Sequence, residues 1–238
     1  MIPNKNYSTI IQTAFHIFRS KISYLVIMKL LGLFLILTFT MSCQSDRSPS
    51  HYQRSWSELD RTYLLENLDA SLKLVLNEVD SLNETQWNWK TYENKWSIAQ
   101  VIEHLIVHDE MFYRDTRVLT GLPTMTPQED SLFSEDDLIL SYREITPQNT
   151  GEAPPYLEPL GRWCSKEDAV FAYSRVRKAM IEFVRSTDKD FRKLYTSSGR
   201  GPTAYRDLHQ LLLISVAHTQ RHLLQIKKIK SSNNFPGN

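Results

Sequence analysis

The feature that most limits how this chain can fold is the segment Thr203–Lys230, which lacks glycine and proline and directly follows Pro202. The pattern predicts one long helix, and its lysine-rich end suits the negative end of a helix dipole. Residues taken alternately three and four apart form one stripe that should face the protein core. This stripe is Leu208, Leu211, Ser215, His218, His222, Gln225 and Ile229. Because His218 and His222 lie four residues apart, the helix can direct both imidazoles at one point.

Three earlier segments also show the apolar periodicity of amphipathic helices. They are Trp56–Leu82, Ser97–Leu119 and Lys166–Ser186. The second of these begins at Ser97, and Gln100 follows three residues later, which fits a capping box. Its inner stripe again contains histidines four residues apart. That stripe is Val101, His104, His108, Met111 and Val118. No segment has a convincing strand pattern, so we expect an all-α protein, a four-helix bundle.

We assign the bundle to residues 57–230 and a tail to residues 231–238. Bundles of this kind build their sites from inward side chains on facing helices. Between the second and third predicted helices, residues 121–163 contain six of the ten prolines in the chain. A connection of this length is often functional, and we expect it to cover the site as a lid. Within it, residues 134–145 are predicted to form a short helix.

The N-terminus has the layout of a secretion signal at residues 28–43, with Lys29 at its start, an apolar run at Leu30–Phe39 and Cys43 at its end. A cysteine in this position resembles the bacterial lipoprotein signal, in which the cysteine is lipidated and becomes the new N-terminus. The alternative is an uncleaved membrane anchor, because Ile22–Met41 is long enough to span a bilayer. Either interpretation predicts a tether on the outer, extracytoplasmic side of a membrane, periplasmic or at the outer membrane for a lipoprotein.

The same interpretation sets the remaining boundaries. We expect residues 1–27 to be an upstream extension from an early start codon, and residues 44–56 to be a flexible tether. The chain holds 28 basic and 27 acidic side chains, and residues 1–43 hold four of the basic ones and no acidic one. The remainder therefore has 24 basic against 27 acidic side chains, a net charge of −3. A mildly acidic domain without a basic patch argues against a nucleic-acid partner.

Two histidine pairs on predicted inner faces need an explanation. A single histidine on an apolar stripe is usually a core residue bonded to a neighbour. Burying four imidazoles without partners, however, would cost on the order of a few kcal/mol each. Coordination of a transition metal satisfies neutral imidazoles at once. Three protein ligands with an open fourth position are typical of catalytic metal sites, where the metal lowers the pKa of a bound water or thiol.

The two histidine-containing segments resemble those of the DinB-like superfamily, which includes YfiT-like metal-dependent hydrolases. The first is ENKWSIAQVIEHLIVHDEMF at residues 93–112, which is similar to the family's W-S-x-x-x-x-x-x-H-L segment on helix two. The second is AHTQRHLLQI at residues 217–226, which is similar to its H-x-x-x-H on helix four. The resemblance covers about residues 57–230.

This resemblance implies a four-helix bundle in which His104, His218 and His222 hold one divalent metal. His108 lies outside the three ligands that are usual in this family. Its candidate roles are a supporting group, a proton carrier or an extra ligand. The metal in relatives is nickel, zinc, iron or manganese. His209 lies nine residues before His218, on the opposite helix face, and is not expected in the site. Relatives include thiol-dependent transferases and isomerases, and many have no known substrate.

We expect a membrane-tethered hydrolase in which the metal activates water, because small thiols are scarce outside the cytoplasm. His108 or a carboxylate, Glu103 or Asp115, would act as the base; Asp115 is favoured because it continues the stripe of His104 and His108. A thiol transferase and a non-catalytic metal- or ligand-binding lipoprotein are the alternatives. The expected partners are a small-molecule substrate and membrane lipid at the N-terminal anchor. The sequence leaves open whether the protein forms a homodimer.

Overall fold

The segments with apolar periodicity form the long helices of the computed structural model, which describes residues 54–123, 132–133, 135–141, 153–197 and 204–237. The long helices are α1 (Glu58–Val79), α3 (Ile98–Gly121), α5 (Lys166–Ser186) and α6 (Leu208–Lys230), and the short ones are α2 (Glu84–Asn88) and α4 (Asp136–Leu140). The described residues belong to one compact unit, Pro49–Asn238. The predicted four-helix bundle is confirmed.

The long helices pack in an order that differs from their order in the chain. Both α1 and α3 pack against α5 and α6, so the neighbours around the bundle are α1, α5, α3 and α6. The helices that carry the two histidine pairs, α3 and α6, therefore lie side by side. This packing allows side chains from the middle of both helices to meet in the interior.

Capping side chains define where the helices begin. The predicted capping box at Ser97 and Gln100 is present at the start of α3. Ser165 caps α5 by accepting a hydrogen bond from the Asp168 backbone N–H. At the start of α6, Asp207 forms a capping box with Gln210. Each cap satisfies backbone N–H groups that the first helical turn leaves unpaired.

A small sheet corrects two predictions. Strand β1 (Leu132–Phe133) runs parallel to β3 (Ala204–Asp207), and β2 (Tyr195–Ser197) pairs antiparallel with the other edge of β3. Residues 204–207 were predicted to be helical and are not. Strands of two to four residues are too short to show alternation, so these segments carry no strand signal. Within the predicted helix 134–145, α4 is described, while residues 134 and 142–145 lie outside the described residues.

The core is formed by apolar side chains from all four long helices, and each fully buried Leu or Ile contributes roughly 1.5–3 kcal/mol relative to an exposed one. Fully buried examples are Leu64, Leu68, Ile98, Ile102, Leu105, Met180, Val184, Leu212, Val216 and Ile226. They occur in every long helix, so the bundle has apolar packing on both sides of its polar middle.

The predictions for the N-terminus fall outside the described residues. These predictions concern the signal at residues 1–43, lipidation at Cys43 and the tether up to residue 53. None of the helices among the described residues combines the length and the apolar character needed to cross a bilayer.

Candidate metal centre

Three histidines meet where α3 and α6 face each other. His104 comes from α3, while His218 and His222 lie one turn apart on α6, and all three are buried. The Nε2 atom of His218 lies 3.1 Å from the Nε2 atom of His104 and 3.1 Å from that of His222. Ligand atoms of the three side chains lie within 4.8 Å of one another, which is close enough to hold one metal ion.

Hydrogen bonds on the far side of two rings fix how those rings are protonated. The Nδ1 atom of His104 lies 2.8 Å from the Leu157 carbonyl oxygen, and that of His222 lies 2.7 Å from Gln225 Oε1. Because these oxygens only accept, both Nδ1 atoms carry the proton and both Nε2 atoms present a lone pair. His218 Nε2 can donate a proton to one of these lone pairs and not to both. One cation between the three nitrogens satisfies all of them, so the donor set fits a metal.

Burial keeps these imidazoles in the form that binds metal. It lowers the pKa of His104, and it lowers the pKa of His222 to about 3. The pKa of His218 lies well below its usual value, because the ring is buried and also has three imidazoles as neighbours. All three rings are therefore neutral near pH 7, as metal coordination requires.

The ring of His108 packs against the face of His218. The ring centroids are 3.7 Å apart with an interplanar angle of 11°, and Phe112 stacks on His108 at 4.2 Å. The nitrogen atoms of His108 therefore lie in a plane nearly parallel to the His218 ring, and His108 does not belong to the group of three histidines whose nitrogens converge. His108 is therefore placed beside the ligand group and not within it, and burial lowers its pKa.

A family model for the DinB superfamily matches residues 67–226, which include both histidine pairs. The chain belongs to the DinB superfamily. Among solved structures, it is similar to YfiT from Bacillus subtilis, described as a probable metal-dependent hydrolase with an unusual four-helix bundle topology, with 15% identity and a TM-score of 0.49. The similarity covers 73% of this chain and 87% of that one. No curated protein sequence matches the chain significantly.

A buried ion pair supports the DinB helices that carry the histidines. Asp109 and Arg177 are both fully buried, and Arg177 Nη2 lies 2.8 Å from Asp109 Oδ2. The hydroxyl of Ser215 donates to Asp109 Oδ1 at 2.8 Å, and Arg177 Nη2 donates to Thr219 Oγ1 at 2.6 Å. This network joins α3, α5 and α6 directly beside His218. Sequence reasoning missed this network and treated Ser215 only as one member of the inner stripe of α6.

The two carboxylates predicted as bases occupy other positions in this DinB protein. Asp115 is 45% exposed and lies 3.3 Å from Arg114. It follows His108 by seven residues, which is about 10 Å along a helix, so the structure does not bring it to the histidines. Glu103 is buried, and both of its oxygens accept hydrogen bonds from the backbone of residues 160–162. Neither carboxylate is placed to act as the base.

A second group of potential ligands lies around His209. Its Nδ1 atom accepts a hydrogen bond from Trp56 Nε1 at 3.1 Å, so the proton of the neutral ring is on Nε2. The guanidinium of Arg192 lies 2.7 Å from Asp60 and 2.6 Å from Asp136, the two carboxylates beside His209. Arg192 already pairs with both carboxylates, and Arg54 lies 2.7 Å from Asp60 as a second cation, so we interpret the group as an ion-pair cluster. Burial and Arg192 lower the pKa of His209 to about 4.

Proposed function

We propose that this chain is a metal-dependent hydrolase in which His104, His218 and His222 hold one divalent transition-metal ion, zinc, nickel, iron or manganese. The convergence of three buried Nε2 atoms carries the proposal, because two of them are fixed as lone-pair donors from behind. When bound, such an ion supplies a Lewis acid that lowers the pKa of water.

The surrounding side chains orient the ligands and exclude water. His108 and Phe112 cover one face of His218 in a continuous stack. Trp96 packs against His104, with ring centroids 5.0 Å apart. The Nδ1 atom of His108 is buried, lies 3.8 Å from Asp109 Oδ1, and has no hydrogen-bond partner among the described residues. We therefore assign His108 to supporting His218, with no direct contact to the ion.

We favour hydrolysis over thiol transfer because the signal-like residues 28–43 predict export from the cytoplasm. We also propose that Cys43 is lipidated and tethers the enzyme on the outer side of a membrane, where it acts on a small-molecule substrate. These parts of the proposal are supported by the sequence of the N-terminus alone.

Metal binding is tested on the full-length chain purified in detergent, with zinc, nickel, iron and manganese measured by elemental analysis and by titration. We expect one ion per chain. His218→Ala should weaken metal affinity by more than about 100-fold, because even the loss of a residue that hydrogen-bonds a metal ligand typically weakens affinity about 10–100-fold. His108→Ala should have a smaller effect. His209→Ala is the matched control, because it removes a buried histidine from the other face of α6.

Two results would contradict the metal site. The first is a wild-type protein that binds none of the four metals. The second is His209→Ala losing metal as readily as His218→Ala. The apolar core on both sides of the site should keep the bundle folded in each variant, which circular dichroism would verify.

The reaction class is tested by supplying the metal-loaded protein with ester and amide substrates, with and without a small thiol. Turnover without thiol supports hydrolysis. Turnover that depends on thiol supports the transferase, and binding without any turnover supports a metal-binding lipoprotein.

The tether is tested by labelling cells with a fatty-acid analogue. The wild type should be labelled and Cys43→Ala should not be. Equal labelling of both proteins would exclude lipidation at Cys43.

A further inference from the structure

A buried carboxylate beside the first metal ligand holds a loop in place. Glu103 precedes His104 on α3, and its oxygens accept from three consecutive backbone N–H groups: Leu160 at 2.7 Å, Gly161 at 2.8 Å and Arg162 at 3.3 Å. The side chain of Arg162 adds a fourth bond at 2.8 Å. A carboxylate with this many donors is strongly fixed, because hydrogen bonds to a charged acceptor are the stronger kind.

The same loop provides the carbonyl that orients His104. Leu157 ends a 3-10 turn at Pro155–Leu157, and its carbonyl oxygen accepts from His104 Nδ1–H at 2.8 Å. Only Glu158 and Pro159 separate this residue from the first one held by Glu103. Gly161 has a φ of +76°, a left-handed conformation that favours glycine and that lets the backbone turn its N–H groups toward one carboxylate. Because only two residues lie between Leu157 and Leu160, the position of the Leu157 carbonyl depends on how Glu103 holds residues 160–162.

We propose that Glu103 is a positioning residue for the metal site: through the loop at residues 157–162 it keeps the Leu157 carbonyl against His104, which holds the His104 proton on Nδ1 and leaves Nε2 for the metal. This inference rests on the metal site of the proposed function. If the loop moves away, His104 loses the acceptor that selects this tautomer. A ring with its proton on Nε2 cannot donate a lone pair from that atom.

The decisive variant is Glu103→Gln, which keeps the size of the side chain. Because both oxygens of Glu103 accept backbone N–H bonds, the amide must place its NH2 group against at least one N–H donor. We expect zinc affinity, measured by calorimetric titration of the full-length chain in detergent, to fall about tenfold or more. Glu110→Gln is the control, because it makes the same change on the same helix at a side chain that is 47% exposed.

A second measurement needs no metal. Nitrogen-15 NMR of the metal-free protein reports the tautomer of each histidine, and wild-type His104 should be the Nδ1–H form. In Glu103→Gln this signal should shift toward a mixture, while Glu110→Gln should match the wild type. His222 should be unchanged in both variants, since Gln225 and not the loop selects its tautomer.

Gly161→Ala tests the same link from the loop side. An added Cβ at Gly161 meets no atom within 4 Å, so the substitution acts through the left-handed backbone alone. It should reduce zinc affinity and perturb His104 in the same direction as Glu103→Gln, and it carries the test if Glu103→Gln does not fold.

The outcomes separate this inference from the metal site itself. Wild-type zinc affinity and an unchanged His104 tautomer in Glu103→Gln and Gly161→Ala would overturn the positioning role while the metal site stands. A wild type that binds no metal would overturn the metal site, and the NMR comparison would then still decide whether Glu103 sets the tautomer of His104.

Discussion

The substitution Arg177→Met removes the positive charge that the structure pairs with Asp109 inside the bundle. Methionine fills much of the space of the arginine stem, so the main effect is electrostatic. Breaking a buried pair from one side typically costs about 3–5 kcal/mol. Ser215 still donates to Asp109 at 2.8 Å. We therefore expect Arg177→Met to lower the free energy of unfolding by about 3 kcal/mol, near the lower limit of this range. For a domain of this size that corresponds to a fall of about 10 °C in Tm.

The assay is urea or thermal unfolding followed by circular dichroism. Arg175→Met is a close control, because it makes the same change two residues away on α5, at a side chain that is 66% exposed and 4.0 Å from Glu110. Loss of an exposed pair should change stability by less than about 1 kcal/mol. The double variant Asp109→Leu/Arg177→Met should lose less stability than Arg177→Met alone, because no buried charge is left behind.

Equal stabilities for Arg177→Met and Arg175→Met would refute this reasoning. That result would mean that the carboxylate of Asp109 does not depend on Arg177 in the folded protein. A double variant less stable than Arg177→Met would also contradict it, because the cost would then come from lost packing or hydroxyl partners and not from an unpaired charge.

Two further predictions follow from the described contacts. Because burial and Arg192 lower the pKa of His209 from 6.5 to about 4, its neutral form contributes stability that is complete above about pH 6.5 and is lost as the pH falls toward about 4. Between about pH 7 and about pH 4.5, the free energy of unfolding of His209→Gln should therefore fall by about 2 kcal/mol less than that of the wild type, as measured by urea unfolding. Identical pH profiles for the two proteins would contradict a neutral His209. Amide hydrogen exchange at residues 153–163, the described end of the predicted lid, should slow when zinc binds, because Leu157 contacts His104. Unchanged exchange with zinc bound would argue that this segment is not coupled to the site.

The sequence was sufficient to predict the bundle and the meeting of His104 with His218 and His222. Helical spacing determines which residues share a face, and apolar stripes determine which face is buried, so both features depend on local pattern. Asp115 shows where this reasoning fails. It continues the stripe of His104 but lies near the surface at 45% exposure. Periodicity gives the direction of a side chain around a helix and not how deeply the neighbouring helices cover it at that height.

Other features had no signal in the sequence. Arg177 lies between apolar positions on α5, and a charged residue is usually exposed. Its partner, Asp109, is 68 residues away, so only the folded chain reveals the pair. The acceptor for His104 is the backbone carbonyl of Leu157, and every residue has such a carbonyl. The role of Glu103 depends on that same loop. These features arise from tertiary packing, which residue type and spacing do not encode locally.

The side-by-side placement of α3 and α6 has a consequence for how the protein matures. His104 and His218 are separated by 114 residues, and α6 is the last long helix of the bundle. During synthesis, no complete three-histidine site can exist until α6 has left the ribosome and docked against α3. An ion captured there would close a loop of more than one hundred residues, and its three ligands come together only once α6 has docked. Such late contacts slow unfolding far more than they speed folding, so metal would lengthen the lifetime of the native protein and have little effect on the rate at which it forms.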